Sequence, residues 1–554
     1  MQPTLSKPNG INRRKFLRLG AAVAAGSCTG FQSRLSQAAP TSQTSWIEAT
    51  IPQLQTLMSS GQLTSRELTL GYLDRINRLN PLLGAVIETN PNAVAIAAKL
   101  DNERRAGFVR GPLHGIPVLL KDNIATGDTM QTTAGSLALL NSRVPADAPL
   151  VSRLRAAGAL ILGKANLSEW ANMRGYAPFN GWSARGGFTR DPYVLEYDPC
   201  GSSSGSAVAA AANLCAVAVG TETDGSIVCP SGNNHVVGLK PTVGLISQGG
   251  IIPIAHSQDT AGPIGRTVTD VAIMLGVMQG GDYTKVLRRG GLRGARIGED
   301  WRYFTWDYGG EPDIVAVAQT AMDAMQVLGA TLIDTDTGDP FEWVLSEYMV
   351  MDYEFKAQIA EYLATLSHTR MRTLADLISF NQEHCTQEMK YFGQEVFEEA
   401  ESTSGDLNDP AYLAARQLCV QLARVDGIDA ALARDNLDAI IAPSYSYASM
   451  PAATAGYPNI AVPVGLRPDG KPAGIWMYSG AWEEAKLLAL AYDLEQALSP
   501  RQQPQFLGAP LPEPPDAGIC ASLPKTNQGE PGVPHWPRRN LGGGKPVAGC
   551  VFCR

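Results

Sequence analysis

The chain has 554 residues, 44% hydrophobic and 18% charged, with a formal net charge of −8. That length and apolar share suit a folded, enzyme-sized protein with a large core, in one very large domain or two to four ordinary ones. The small net charge, with no long basic stripe beyond the first residues, argues against a nucleic-acid partner and leaves a small molecule or a peptide as the expected substrate.

Residues 1–38 read as an export signal. Asn12-Arg13-Arg14-Lys15-Phe16-Leu17 opens a short apolar stretch from Leu19 to Gly26, and Ser36-Gln37-Ala38 offers small residues for cleavage. The paired arginines before Phe16-Leu17 match a twin-arginine signal, which carries proteins already folded, so the expected place of work is the periplasm or the exterior. The apolar stretch is too short for a stable membrane span. Cys28 as a lipidated first residue is a lesser alternative, because no leucine stands three positions before it. Residues 39–44 form a short linker to a folded domain expected over 45–510.

Within that domain, Thr64-Ser65-Arg66-Glu67 is a capping box for a helix whose apolar positions Leu68, Tyr72, Leu73 and Ile76 recur at helical spacing. Gly115 to Leu120 and Ala159 to Leu162 are short apolar runs, each flanked by helical patterns. This alternation predicts an α/β sheet sandwiched by helices. Residues 203–214 are small and apolar, as in a tightly packed helix, and Ala216 to Gly220 follow as a buried strand leading into the turn that carries Ser226. Residues 310–435 are more charged and helical, and Met351, Tyr353, Phe355, Tyr362 and Tyr391 there fit a core or a lid. A strand pair, Ile460 to Val464 and Gly474 to Met477, brackets Pro468-Asp469-Gly470, and Leu487, Leu488, Ala491, Leu494 and Leu498 mark a closing helix. From 511 to 554 the chain is rich in proline and glycine without an apolar period, which predicts a disordered tail.

Three residues carry the chemistry. Lys121 ends an apolar run, so burial should depress its pKa; a shift of roughly three units from about 10.4 would make neutral amine abundant near neutrality. Taken alone, it also reads as a strand-end lysine reaching for solvent or pairing with Asp122. Ser226 follows Gly220-Thr-Glu-Thr-Asp-Gly225, where the consecutive backbone N–H groups of Thr223, Asp224 and Gly225 can form an anion nest. Ser202, in the separate turn Gly201 to Gly205, is placed to relay a proton between Lys121 and Ser226, or simply to cap the helix that follows. Gly201-Ser-Ser203-Ser-Gly205 also spells a nucleophile elbow centred on Ser203, but that motif needs a strand before it, and Tyr197-Asp198-Pro199-Cys200 is a turn. The six histidines add little: His368, His384 and His535 sit in polar contexts, and His114, His235 and His256 read as structural.

Of nine cysteines, Cys215 lies in an alanine-rich apolar segment and reads as a small buried hydrophobe, while Cys550 and Cys553 form one isolated pair without a second pair or a histidine cluster at metal spacing. No metal site is expected. Export permits disulfides, with the pairing open.

These segments together resemble the amidase signature family. The stretches are His114 to Asn123, Thr132 to Ser136, Gly163 to Glu169, Gly201 to Ser206, Gly220 to Pro230 and Val237 to Gly244, and the resemblance extends over roughly 45–508. It implies one large mixed β-sheet core sandwiched by helices, with 310–435 as a helical insertion that shapes the pocket. It further implies Ser226 as acylated nucleophile, Lys121 as general base, Ser202 as bridging serine after a cis peptide, and an oxyanion hole from the backbone of Thr223, Asp224, Gly225 and Ser226. No cofactor is implied. The family's usual Ser-Ile-Arg is here Ser226-Ile227-Val228, and its usual Gly-Gly before the serine is Asp224-Gly225. Both departures are similar to the peptide amidase branch, which releases ammonia from C-terminally amidated peptides; an aryl-amide or other small-amide hydrolase is the alternative. Asp224 raises a question of its own, since an ionised carboxylate beside a developing oxyanion is unfavourable.

Overall fold

The computed structural model describes residues 46–522. The export signal, the linker at 39–44, Cys28, His535 and the Cys550–Cys553 pair lie outside the described residues.

Eleven strands make one mixed sheet. In chain order they are β1 (Val86–Thr89), β2 (Pro117–Lys121), β3 (Leu160–Ala165), β4 (Val217–Glu222), β5 (Val237–Lys240), β6 (Thr260–Gly265), β7 (Arg296–Glu299), β8 (Thr331–Asp334), β9 (Ala439–Pro443), β10 (Asn459–Leu466) and β11 (Pro472–Tyr478). They lie side by side as β1-β3-β2-β4-β6-β5-β10-β11-β9-β7-β8. The β3-β2-β4 group is parallel, with Val118 opposite Val217 and Leu119 opposite Ala218. β6 then runs antiparallel to β4 and β5. The central strands are buried on both faces, as parallel strands covered by helices must be, so they read as continuous apolar runs instead of alternating ones.

Helices sandwich this sheet, and those that matter to the site are easily traced. Helix α1 (Ser65–Leu83) starts at the capping box read from sequence: Thr64 Oγ1 accepts the Glu67 N–H, and the Glu67 carboxylate accepts the Thr64 N–H at 2.8 Å. Helix α2 (Ser204–Ala211) is buried along its whole length, which the small residues of its sequence permit. Helix α3 (Val228–Asn233) begins two residues after Ser226. Helix α4 (Val344–Thr365) is the longest among the described residues, and α5 (Glu484–Leu498) buries Leu487, Leu488, Ala491 and Leu494 against the sheet.

Two sequence expectations need correction. Residues 310–435 are not purely helical, because β8 lies among them and extends the sheet beyond β7. Thr331 and Asp334 are exposed and Leu332 and Ile333 only partly buried, so no apolar run announces the strand. Residues 511–522, assigned to the tail, are anchored: Cys520 is disulfide-bonded to Cys385, the Tyr391 hydroxyl donates to Glu513 at 2.7 Å, and the Ala517 N–H reaches the Lys390 carbonyl. A crosslink and a few polar contacts hold what an apolar period does not. Met351, Phe355 and Tyr362 are core residues of one cluster with Trp170 and Phe397, and Tyr391 packs with Trp182 and Phe392. Among the described residues no helix is long and apolar enough to cross a membrane, and no group of His, Cys, Asp or Glu side chains is gathered to hold a metal ion.

Candidate active site

Lys121 is the last residue of β2, a strand flanked by β3 on one side and β4 on the other, and it is fully buried. Desolvation brings its pKa down to about 7, against the opposing pull of the Glu222 and Asp259 charges. Its Nζ lies 2.7 Å from Ser202 Oγ and donates to the Thr221 carbonyl at 3.1 Å. A neutral amine at that distance is able to accept the hydroxyl proton of Ser202.

The turn bearing Ser202 is held from several sides. The Gly201–Ser202 peptide is cis. The Ser168 N–H donates to the Ser202 carbonyl at 3.1 Å, and a Cβ at position 201 would come within 2.2 Å of Ser168 Oγ, so only glycine fits. Ser203, the elbow candidate, is spent on structure: its Oγ donates to the Thr221 carbonyl at 2.9 Å and accepts the Thr221 N–H at 3.2 Å. No strand precedes it, so the elbow reading fails for the reason its sequence context gave.

Ser226 belongs to the turn that leaves β4. Gly225 takes φ +74°, a left-handed conformation natural to glycine. The Glu222 carboxylate accepts the N–H groups of Ile227 at 2.5 Å and Val228 at 2.9 Å, and the Gly225 N–H also faces it. Among the described residues no acceptor is bonded to the N–H of Asp224 or Ser226. The two serine turns touch: the Ser203 N–H donates to the Ser226 carbonyl at 3.1 Å, and a buried disulfide joins Cys200 to Cys229. Ser202 and Ser226 line one cavity together with Asn123, Thr223, His256, Asp259 and an apolar wall from Ile251 to Ile254. The structure thus gathers Lys121, Ser202 and the Thr223–Ser226 turn at one place.

Sequence reasoning missed several neighbours. Asp259 Oδ1 accepts from Thr223 Oγ1 at 2.6 Å, and its Oδ2 accepts the N–H groups of Ile254 and Ala255, so one carboxyl ties the turn to the cavity wall. Burial raises its pKa to about 7. His256, structural by its sequence context, in fact lines the cavity; its half-buried ring has a lowered pKa through desolvation. His114 and His235 are structural indeed, each bonded through Nε2 to a backbone carbonyl. Two further lysines, Lys164 and Lys240, are as buried as Lys121. Lys164 Nζ donates to the Ile124 carbonyl at 2.6 Å and to Thr132 Oγ1 at 2.9 Å, and Lys240 Nζ donates to the Tyr457 carbonyl at 2.7 Å. Both stand inside stretches that carry the family resemblance, Gly163 to Glu169 and Val237 to Gly244, which was the available signal.

A family model described as Amidase matches residues 67–488. A Schizosaccharomyces pombe relative that carries an amidase name is 39% identical over 508 residues, covering 83% of this chain and 87% of the relative. A relative from Arabidopsis thaliana, which also carries an amidase name, is 41% identical over 489 residues, covering 83% of this chain and 92% of the relative. Among solved structures, the native peptide amidase of Stenotrophomonas maltophilia superposes with a TM-score of 0.79 at 47% identity, covering 84% of this chain and 99% of that chain.

Proposed function

Because the chain belongs to the amidase signature family and is a hydrolase acting on amide bonds, we propose that it cleaves the C-terminal carboxamide of peptides through an acyl-serine on Ser226, with Ser202 and Lys121 as proton relay and base. The observation that carries this reading is the 2.7 Å approach of a buried, easily deprotonated Lys121 to Ser202, in the turn that abuts the one bearing Ser226.

In this reading Ser226 Oγ attacks the amide carbonyl while its proton passes through Ser202 to neutral Lys121. The carbonyl oxygen, now negative, is received by the backbone of Thr223, Asp224, Gly225 and Ser226, where the Asp224 and Ser226 N–H groups have no competing acceptor among the described residues. Protonated Lys121 returns the proton through the serines to the departing nitrogen, which leaves as ammonia. Water then repeats the sequence on the ester and frees the acid. No step draws on a metal or an organic cofactor.

The peptide-amide preference rests on Asp224-Gly225-Ser226-Ile227-Val228 standing where the family usually has Gly-Gly-Ser-Ile-Arg, and on the likeness to a peptide amidase. The Ile251–Ile254 wall suits an apolar residue next to the amide. Export through a twin-arginine signal belongs to the same proposal. The Cys200–Cys229 and Cys385–Cys520 disulfides favour work in an oxidising compartment.

The test is to incubate the purified enzyme with an amidated dipeptide, the matching anilide and acetamide, following ammonia, aniline and the mass of the acylated protein. Ammonia from the dipeptide amide with transient acylation on Ser226 is expected. Turnover of the anilide alone would favour an aryl-amide hydrolase instead.

A further inference from the structure

Two members of the proposed relay hang from the sheet and the third does not. Lys121 ends β2 and Ser226 stands in the turn that leaves β4; the two strands are direct neighbours, with Leu120 opposite Val219. Ser202 is instead entered from residues 197–200, where there is no strand, so no ladder of backbone bonds sets its place against the other two. Side chains do that work. Cys200, just before Gly201-Ser202, is disulfide-bonded to Cys229, which opens α3 shortly after Ser226. Asn233 Nδ2 donates to the Asp198 carbonyl at 2.9 Å and Asn234 Nδ2 to the Pro199 carbonyl at 2.8 Å, so the helix that follows one serine grips the segment that leads to the other. Each cysteine is also locked to its own turn: the Cys229 N–H donates to the Gly225 carbonyl at 2.8 Å, and the Cys200 carbonyl accepts from Ser204 Oγ at 2.5 Å. Both cysteines are fully buried, in an apolar cluster with Val228 and Trp476. Ser203 secures the far side of the Ser202 turn to Thr221 and Ser226, and the sulfur bridge secures the near side.

We propose that the Cys200–Cys229 bridge sets the reach of Ser202 between Lys121 and Ser226, which makes the two cysteines positioning residues for the amidase reaction. The inference rests on the reading of Ser202 as the proton relay. A hydroxyl that accepts a proton from one partner and passes it to another 2.7 Å away tolerates little displacement, and about 1 Å of misplacement at a reacting group costs up to about 10²-fold in rate. Without the bridge, the near side of the turn is left to the two asparagine hydrogen bonds, which open and close. Substrate binding depends on it far less, because the apolar wall from Ile251 to Ile254 comes from another part of the chain. The signature of the bridge is therefore a loss in kcat with KM spared, and a loss that acts through Ser202. The Cys385–Cys520 bond, which lies in neither serine turn, supplies the contrast.

The experiment measures kcat and KM for ammonia release from an amidated dipeptide in wild type, in the Cys200→Ala, Cys229→Ala pair and in the Cys385→Ala, Cys520→Ala pair, and repeats the first two with Ser202→Ala added. The first pair should lose kcat about 10- to 100-fold with KM within about twofold, and the second pair should keep its kcat. In the Ser202→Ala background, removal of the Cys200–Cys229 bridge should cost nothing further, because a bridge that works only through Ser202 has nothing left to position. An unchanged kcat in the first pair, an equal loss in the second, or the same loss with and without Ser202 overturns the proposal. Where the first pair does not fold, the Cys385→Ala, Cys520→Ala enzyme is compared before and after a dithiol, which gives two electrons and two protons to the remaining sulfur–sulfur bond and itself closes to a cyclic disulfide; alkylation and mass confirm the two new thiols, and the same kcat loss is expected. Failure of the relay reading is a separate result: Ser202→Ala alone would then turn over like wild type.

Discussion

Lys121 and Lys164 occupy adjoining strands of one sheet, with Lys164 opposite Leu120, and both are fully buried. Desolvation brings Lys164 to about 8 and Lys121 to about 7, so burial scarcely separates them. What separates them is the company of the ammonium. Lys164 gives its hydrogens to the Ile124 carbonyl and Thr132 Oγ1, bracing the loop after β2, whereas Lys121 meets a serine hydroxyl beside a cavity. A depressed lysine pKa marks a dry place; what sets Lys121 apart is that its hydroxyl partner lines a cavity together with Ser226, whereas the Thr132 hydroxyl beside Lys164 is not among the residues lining it.

This contrast can be broken most directly at Lys121. Lys121→Ala should lower the acylation rate about 10²- to 10⁴-fold near neutrality, the range of a lost general base, as measured by single-turnover mass spectrometry; an unimpaired variant would make the two lysines equivalents. Ser202→Ala should come next, with a loss of roughly 10²-fold or more in kcat if the relay is real. The pH profile sharpens the comparison further. Protonated Lys121 cannot take a proton, so wild-type kcat/KM should climb as pH rises through about 7, and that climb should persist in Lys164→Met. The smallest effect on rate belongs to Lys164→Met itself, with turnover within a few-fold of wild type. Its cost should appear in denaturant unfolding instead, at about 1–3 kcal/mol for a buried carbonyl left without its donor.

The same pair shows what the sequence made legible. Lys121 stands out because four apolar residues, Pro117 to Leu120, lead into it and because two serine-rich turns offer partners. Strands β2, β3 and β4, the capping box of α1 and the closing strand pair are readable for the same reason, since buried runs and caps are written locally, while the order and direction of the strands are not. Lys164 sits in a family stretch whose letters alone do not mark it as buried, although Leu160 to Leu162 before it form an equally apolar run. His256 and Asp259 escape notice because their places depend on how the loop before β6 folds back over β4, which no short-range pattern encodes. β8 is hidden by partial exposure, and the pairing of Cys385 with Cys520 by a separation of 135 residues.

That last bond has a practical corollary. A protease that cuts the backbone anywhere between positions 385 and 520 leaves both pieces tethered through sulfur. A nicked preparation would therefore migrate as one band on a denaturing gel and separate into two only once a thiol is added, so an enzyme that looks intact without reductant can already be cleaved.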